Sequence, residues 1–203
     1  RQMTIWNAKA LGHRTLYAKS GEVLKIENLS PEDLLWAILD WSALPGCSRH
    51  HFGTDIDVYD AAVGVSTDDI ELITEEYQVG GAFEKLGAWL NKILNNENSL
   101  NQDFFRPYET YQGGVQVEPW HLSYEPLATP YLQNFDIKEL RSLIEKSEIV
   151  LKEVILENMD EIVNKYVLNI CPSPVKSKSE LLTQNTIQTE TKSYGASING
   201  VTL

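Results

Sequence analysis

Three features are scarce in this sequence: cysteine, positive charge and long apolar runs. Only two of the 203 residues are cysteine, too few for a disulfide-stapled scaffold. Lysine and arginine number 17 against 29 acidic residues, and the net charge of −12 argues against binding to nucleic acid or to anionic membrane surfaces. No apolar run approaches the roughly 18 residues of a membrane span, and the first residues do not form a signal peptide pattern.

What is present suits one globular domain. Hydrophobic residues make up 42% of the chain and charged residues 23%, which is ordinary for such proteins. We predict a domain over residues 1–171, long enough for a substantial core. Residues 172–203 are rich in Ser, Thr, Lys, Gln and Asn, which predicts a flexible polar tail. Because the chain begins with Arg1 rather than Met, we expect the N-terminus to be truncated.

Helical patterns occupy both ends of the predicted domain. Ser30 and Pro31 predict the capped start of a helix that ends near Leu44. A further helix is expected after Gly81. The other predicted helices are one that ends at Gly12 and three that begin at Asp136, at Ser147 or Glu148, and at Asp160. Trp36, Trp41 and Trp89 fall within or beside these patterns, and we expect them in the core.

Strand patterns lie in the middle of the chain. Polar and apolar residues alternate from Thr54 to Tyr59, which predicts a strand with Asp57 toward a cleft and Ile56 and Val58 toward the core. Residues 104–108 and 113–117 are predicted to form two short paired strands, and residues 95–98 a loop. The predicted fold class is α+β, a small antiparallel sheet flanked by helices.

Two polar motifs stand out from these patterns. The first is Ser48-Arg49-His50-His51-Phe52-Gly53-Thr54-Asp55-Ile56-Asp57, and the second is Glu118-Pro119-Trp120-His121. Together they supply two histidines and a carboxylate as metal ligands, with a spare carboxylate as base. Three protein ligands, an open position and a general base are what a catalytic zinc site needs.

The local chain geometry can bring these groups together. Gly53 permits a tight reversal, so that His50 can fold back toward Asp57. Pro119 cannot continue a sheet ladder, and a bend there would let Glu118 and His121 reach one centre. We expect Trp120 to pack beneath this bend and hold it.

Other residues of these types are given smaller roles. We expect Cys47, next to the first motif, to be a small buried thiol rather than a ligand. Two interpretations of His51 stay open, contact with substrate and no functional role, because neighbouring side chains point in opposite directions in extended chain. His13 is assigned no function.

The paired motif Ser48-x-His50-x-x-Gly53-x-x-x-Asp57 and Glu118-x-Trp120-His121 resembles the zinc D-alanyl-D-alanine carboxypeptidases and dipeptidases. These VanY-like metallopeptidases belong with the lysostaphin-type and hedgehog-like folds. The resemblance implies that His50, Asp57 and His121 bind Zn²⁺ and that Glu118 is the catalytic base. It further implies that Ser48 makes an orienting hydrogen bond.

The sequence departs from the family pattern at two places. Asp55 stands where the family usually has a small residue, and it could shift the pKa of a ligand, act on substrate or point into solvent. The family also carries an upstream arginine that binds substrate, for which no matching segment exists here. Arg49 and Arg106 are the possible substitutes.

The activity implied by the resemblance is hydrolysis of bacterial cell-wall stem peptides. The substrate would be the D-Ala-D-Ala end of peptidoglycan or of a precursor. Two alternatives stay open: an endopeptidase cutting between L-Ala and D-Glu, and a zinc-bearing binding domain with little hydrolytic activity. The sequence leaves the location open between the cell envelope or periplasm, which is expected if the substrate is mature peptidoglycan, and the cytoplasm.

Overall fold

Helices and two small antiparallel sheets make up the part of the chain that the structure, a computed structural model, describes: residues 1–66, 69–94 and 103–173. The strands are β1 (Leu16–Tyr17), β2 (Val23–Leu24), β3 (Asp55–Asp57), β4 (Phe104–Phe105) and β5 (His121–Tyr124). The helices are α1 (Gln2–Ala10), α2 (Pro31–Leu39), α3 (Glu84–Leu94), α4 (Glu125–Gln133), α5 (Ile137–Lys146), α6 (Lys152–Glu157) and α7 (Met159–Tyr166). The predicted α+β class is confirmed.

The larger sheet has the order β3-β5-β4, with β5 antiparallel to both neighbours. Asp55 lies opposite Ser123 and Asp57 lies opposite His121. Because directly opposed residues project from the same side of a pleated sheet, these four polar side chains share one face. That face carries the candidate site.

The alternation along β3 was predicted correctly, and Asp57 lies at a cleft as predicted, but Ile56 does not face the core. Ile56 is 51% exposed, whereas Asp55 is only 5% exposed. A strand buries its charged face only when the charges are paired and hydrogen-bonded. Arg49 and His121 supply those partners to Asp55, so the apolar Ile56 takes the outer face.

The predicted pairing of residues 104–108 with 113–117 is wrong. β4 pairs with β5 instead, and residues 113–117 contain no strand. This segment passes so close to α7 that a Cβ on Gly114 would overlap the backbone carbonyl of Lys165. The glycine therefore serves a close approach of two backbones rather than a hairpin.

The main core lies among the helices of the two chain ends, α1, α2 and α5–α7. Its fully buried members include Trp6, Leu35, Ile38, Ile155, Met159 and Ile162. The predicted caps are confirmed: Ser30 Oγ accepts the Asp33 N–H at 3.0 Å, and Asp136 Oδ1 accepts the Lys138 N–H at 2.7 Å. This helical core forms one wall of the site.

Several sequence-based details are corrected by the structure. α6 begins at Lys152, later than predicted, after Leu151 with a φ of +69°. Trp41 and Trp89 are 46% and 53% exposed, so they are not core residues. Cys47 is a free, buried thiol, as expected.

The predicted tail and the predicted loop at 95–98 lie outside the described residues, apart from positions 172 and 173 of the tail. Within the described ranges, no helix combines the length and the apolar character that a bilayer crossing demands.

Candidate metal centre and active site

Three ligand-type side chains converge at the edge of the larger sheet. His50 lies on a single 3-10 turn, Arg49–Phe52, that ends at Gly53 with a φ of +72°. Asp57 ends β3, and His121 begins β5 directly opposite it. One ligand atom from each of the three lies within 4.8 Å of the other two, so the group could hold a metal ion.

Two separations within this trio, one to each carboxylate oxygen of Asp57, are close to the spacing of ligands around a tetrahedral ion. His50 Nε2 is 3.3 Å from Asp57 Oδ2, and His121 Nδ1 is 3.5 Å from Asp57 Oδ1. Ligands bonded to zinc at roughly 2.0–2.1 Å lie about 3.3 Å from one another in a tetrahedron. The donor set of two imidazoles and one carboxylate also suits that ion.

The two imidazoles are held through their other nitrogens. His50 Nδ1 lies 3.1 Å from the backbone carbonyl of Asp55, and His121 Nε2 lies 2.9 Å from Asp55 Oδ1. A proton on each of these nitrogens leaves His50 Nε2 and His121 Nδ1 free to bind a metal. Such outer hydrogen bonds are the usual way in which ligating histidines are oriented.

Glu118 lies beside the trio, as the bend at Pro119 predicted. Its Oε2 is 2.9 Å from His121 Nδ1, and the His121 N–H donates to the Glu118 carbonyl at 3.2 Å, which closes the turn. The carboxylate therefore reaches the site from outside the strand.

Trp120 packs beneath the bend, as expected. It is 7% exposed, and its ring lies 5.4 Å from that of Tyr77. Tyr77 also packs on Phe83, which gives the turn a small apolar support of its own. The Tyr77 hydroxyl donates to the Val58 carbonyl at 2.7 Å, tying this support to the end of β3.

Arg49 and Asp55 form a buried ion pair under the trio. Arg49 Nε donates to Asp55 Oδ1 at 2.7 Å, and the two side chains are 1% and 0% exposed. Asp55 does not point into solvent, and the Arg49 side chain is not open to substrate. Arg106 is also buried, and its Nη1 donates to Asn91 on α3. Neither candidate substitute for the substrate-binding arginine is therefore exposed.

The electrostatics of the site follow from these contacts. Burial lowers the pKa of His121, but its hydrogen bonds to Asp55 and Glu118 outweigh burial and raise the pKa to about 9. The hydrogen bond to Asp57 raises the pKa of His50. Burial raises the pKa of Asp55. The hydrogen bond to His121 and the charge of Arg49 lower this pKa by more, so that the net shift is downward.

A cleft of about 580 Å³ opens over the trio. Ser48 lines it beside His50, and its orienting hydrogen bond stays a prediction. Sequence reasoning missed Tyr108, a buried residue whose ring meets that of His121 edge-on at 5.0 Å. It also missed Thr54 and Ser123, both hydrogen-bonded to Asp55. Their polarity at strand positions was the one available signal.

The chain is similar to a known bacterial protein. An uncharacterized protein of Haemophilus influenzae is 30% identical over 127 residues, which are 62% of this chain and 93% of that protein. No solved structure matched the chain.

A family model described as VanY, D-alanyl-D-alanine carboxypeptidase, matches residues 1–127. The match covers more than half of the chain and includes both polar motifs, with the trio and Glu118. The chain therefore belongs to the VanY family of D-alanyl-D-alanine carboxypeptidases.

Proposed function

We propose that this protein is a zinc-dependent D-Ala-D-Ala carboxypeptidase acting on bacterial cell-wall stem peptides or their precursors. The observation that carries the proposal is the convergence of His50, Asp57 and His121 with the Glu118 carboxylate in one cleft. A structural zinc site is normally closed by four protein ligands, whereas three ligands beside a carboxylate suit catalysis. Membership of the VanY family supports the proposed substrate class.

In this proposal the trio holds the metal through His50 Nε2, a carboxylate oxygen of Asp57 and His121 Nδ1. When bound, zinc supplies Lewis-acid polarisation of a carbonyl and makes a coordinated water more acidic. The protein contributes the fixed orientation of the ligands, since each imidazole is anchored by Asp55 through its other nitrogen.

Glu118 is the proposed general base. Its Oε2 lies 2.9 Å from His121 Nδ1, the nitrogen that would bind the metal, which places the carboxylate directly beside the proposed site. Glu118 would then take a proton from the attacking water and deliver a proton to the leaving amine of the terminal D-Ala. A positioned base of this kind contributes a factor on the order of 10²–10⁴ to the rate.

The cleft has the dimensions of a site for a short peptide end. Its volume of about 580 Å³ falls within the range of roughly 300–1,000 Å³ typical of ligand pockets. Tyr108, Trp120 and Val117 contribute apolar surface, and Thr74 and Gln116 contribute polar groups. We further propose that residues 1–171 form the peptidase unit and residues 172–203 a separate tail.

A defined set of muropeptides tests the proposal. The zinc-loaded protein is incubated with stem pentapeptides that end in D-Ala-D-Ala, and the products are identified by mass spectrometry, with Glu118→Gln as the inactive control. Release of one alanine supports the carboxypeptidase assignment. Cleavage between L-Ala and D-Glu would identify an endopeptidase, and binding without cleavage would identify a binding domain.

A further inference from the structure

Asp55 is the point at which both imidazoles of the proposed metal site are anchored. Its side chain holds His121 Nε2 at 2.9 Å, and its backbone carbonyl lies 3.1 Å from His50 Nδ1. One residue therefore sets the direction of two ligands. No other described residue contacts both of these nitrogens within hydrogen-bond distance.

The Asp55 carboxylate is saturated by donors. Oδ1 accepts from Arg49 Nε at 2.7 Å and from His121 Nε2, and Oδ2 accepts from Thr54 Oγ1 at 2.6 Å and Ser123 Oγ at 3.2 Å. Two carboxylate oxygens offer about four lone-pair sites, and four donors occupy them. The carboxylate is thereby fixed in one orientation, with no freedom to swing toward the cleft.

Arg49 is placed to serve Asp55 rather than substrate. Its Nη2 donates to Ser123 Oγ at 2.7 Å, and its guanidinium lies over the rings of Phe52 and Phe105 at 5.7 and 5.9 Å. Its remaining nitrogen, Nη1, is buried without a hydrogen-bond partner among the described residues. The guanidinium charge is thus buried beneath the site. Arg49 directly precedes the proposed ligand His50 in the sequence.

The pair is poorly explained as a device for stability alone. Burying two charges costs several kcal/mol per ion, and apolar replacements of buried pairs are often neutral or stabilising. Arg49 also leaves one buried donor unsatisfied, which carries a cost on the order of 1–3 kcal/mol. The Arg49–Asp55 pair thus costs free energy of folding, and its carboxylate contacts the imidazole of a proposed metal ligand. We therefore look for its role in the orientation of His121.

We propose that Arg49 and Asp55 are a positioning pair that holds His121 with Nδ1 toward the metal. Asp55 acts directly on the imidazole, and Arg49 acts through Asp55 by fixing its carboxylate and balancing its charge. The inference rests on the proposed metal site but not on which peptide bond is cut.

The deciding measurement is the dissociation constant for Zn²⁺, obtained with the full chain by competition against a chromophoric chelator. Asp55→Ala should raise the Kd by about 10–100-fold, the range found when outer partners of metal ligands are removed. Asp55→Asn should raise it less, because the amide oxygen still accepts from His121 Nε2. The absorption spectrum of the Co²⁺ form should shift in the same variants.

Arg49→Met tests the second member of the pair. It should also weaken Zn²⁺ binding, and the double variant Asp55→Ala with Arg49→Met should be no worse than Asp55→Ala alone, since Arg49 acts only through Asp55. Asp60→Asn is the matched control, because that carboxylate caps the turn at Ala61–Val63 and is not a metal ligand. Its Kd should stay at the wild-type value.

Folding and binding are separated by measuring the melting temperature of each metal-free variant. Asp55→Asn is nearly isosteric and is the variant on which the inference depends if Asp55→Ala does not fold. A lower melting temperature with an unchanged Zn²⁺ Kd and Co²⁺ spectrum in Asp55→Asn and Arg49→Met would overturn the inference and make the pair structural. That result would not contradict the proposed function. Conversely, tight Zn²⁺ binding without peptide cleavage would contradict the proposed function but not the positioning role of Arg49 and Asp55.

Discussion

Asp57 and His121 are direct partners across the antiparallel pair β3–β5, and their Oδ1 and Nδ1 atoms are 3.5 Å apart. Two of the three proposed ligands are therefore set by backbone register. Sites on strands are held more precisely than sites on loops. Only His50 depends on a turn, and that turn is held by the contact between His50 Nδ1 and the Asp55 carbonyl.

His121→Ala should abolish stoichiometric Zn²⁺ binding. The substitution removes one of three ligands and leaves His50 and Asp57, which cannot complete the site. Metal analysis of the purified protein measures the effect, with His13→Ala, an exposed histidine outside the site, as the control. Full zinc occupancy in His121→Ala would remove His121 from the ligand set.

Glu118→Gln should retain zinc and lose hydrolysis by a factor on the order of 10² or more, because the amide keeps the size of the side chain but not its basicity. Zinc content and turnover of a D-Ala-D-Ala peptide are measured on the same preparation. Near-normal turnover would rule out Glu118 as the base. Loss of zinc together with activity would instead make Glu118 a ligand.

The stability of the metal-free protein should fall as the pH rises from about 6.5 to 9. His121 has a pKa of about 9 in the folded chain, above the 6.5 of a free imidazole, because its hydrogen bonds to Asp55 and Glu118 outweigh burial. The folded state therefore holds a proton that the unfolded state releases, and the stabilisation is complete only below pH 6.5. The loss is on the order of 3 kcal/mol.

Urea unfolding of the metal-free protein across this pH range measures the loss. His121→Gln should flatten the decline, because the titrating group is gone, while His13→Gln should leave it in place. An unchanged slope in His121→Gln would assign the pH dependence to another group.

The chain cut after Ser173 should keep its melting temperature, whereas the chain cut after Leu168 should lose several degrees. The second cut removes the Cys171 N–H that donates to the Pro107 carbonyl at 2.8 Å, and with it the thiol that accepts from the Thr110 N–H at 3.4 Å. A loss of 1 kcal/mol shifts the melting temperature by roughly 2–4 °C in a chain of this size. Equal melting temperatures for the two cuts would move the boundary of the proposed peptidase unit upstream.

The features predicted best from the sequence are those that depend on a residue and its immediate neighbours, such as helix caps and turns. Ser30, Asp136 and Gly53 were placed correctly because capping and left-handed backbone follow from a few neighbouring residues. The bend at Pro119 was predicted for the same reason. Such features can be predicted without knowing which distant residues pack against them.

The sequence was misleading where a distant partner decides the outcome. Asp55 lies on the buried face of β3 because His121, 66 positions away, and Arg49 satisfy it. The outward position of Ile56 follows from that pairing and not from its own hydrophobicity. β4 likewise pairs with β5, while the 113–117 segment passes close to α7, and local sequence pattern reveals neither contact.

The central position of β5 has a consequence for how the protein folds. His50 and Asp57 can meet within a short stretch of chain, but His121 joins them only after β5 has docked between β3 and β4. A metal ion that binds all three would link β3 to β5 across the long intervening segment. Its binding would stabilise the state with β5 docked relative to the unfolded chain. The proposed metal ion would then bind firmly only to chains in which the sheet is complete, and its binding would report a late step of folding.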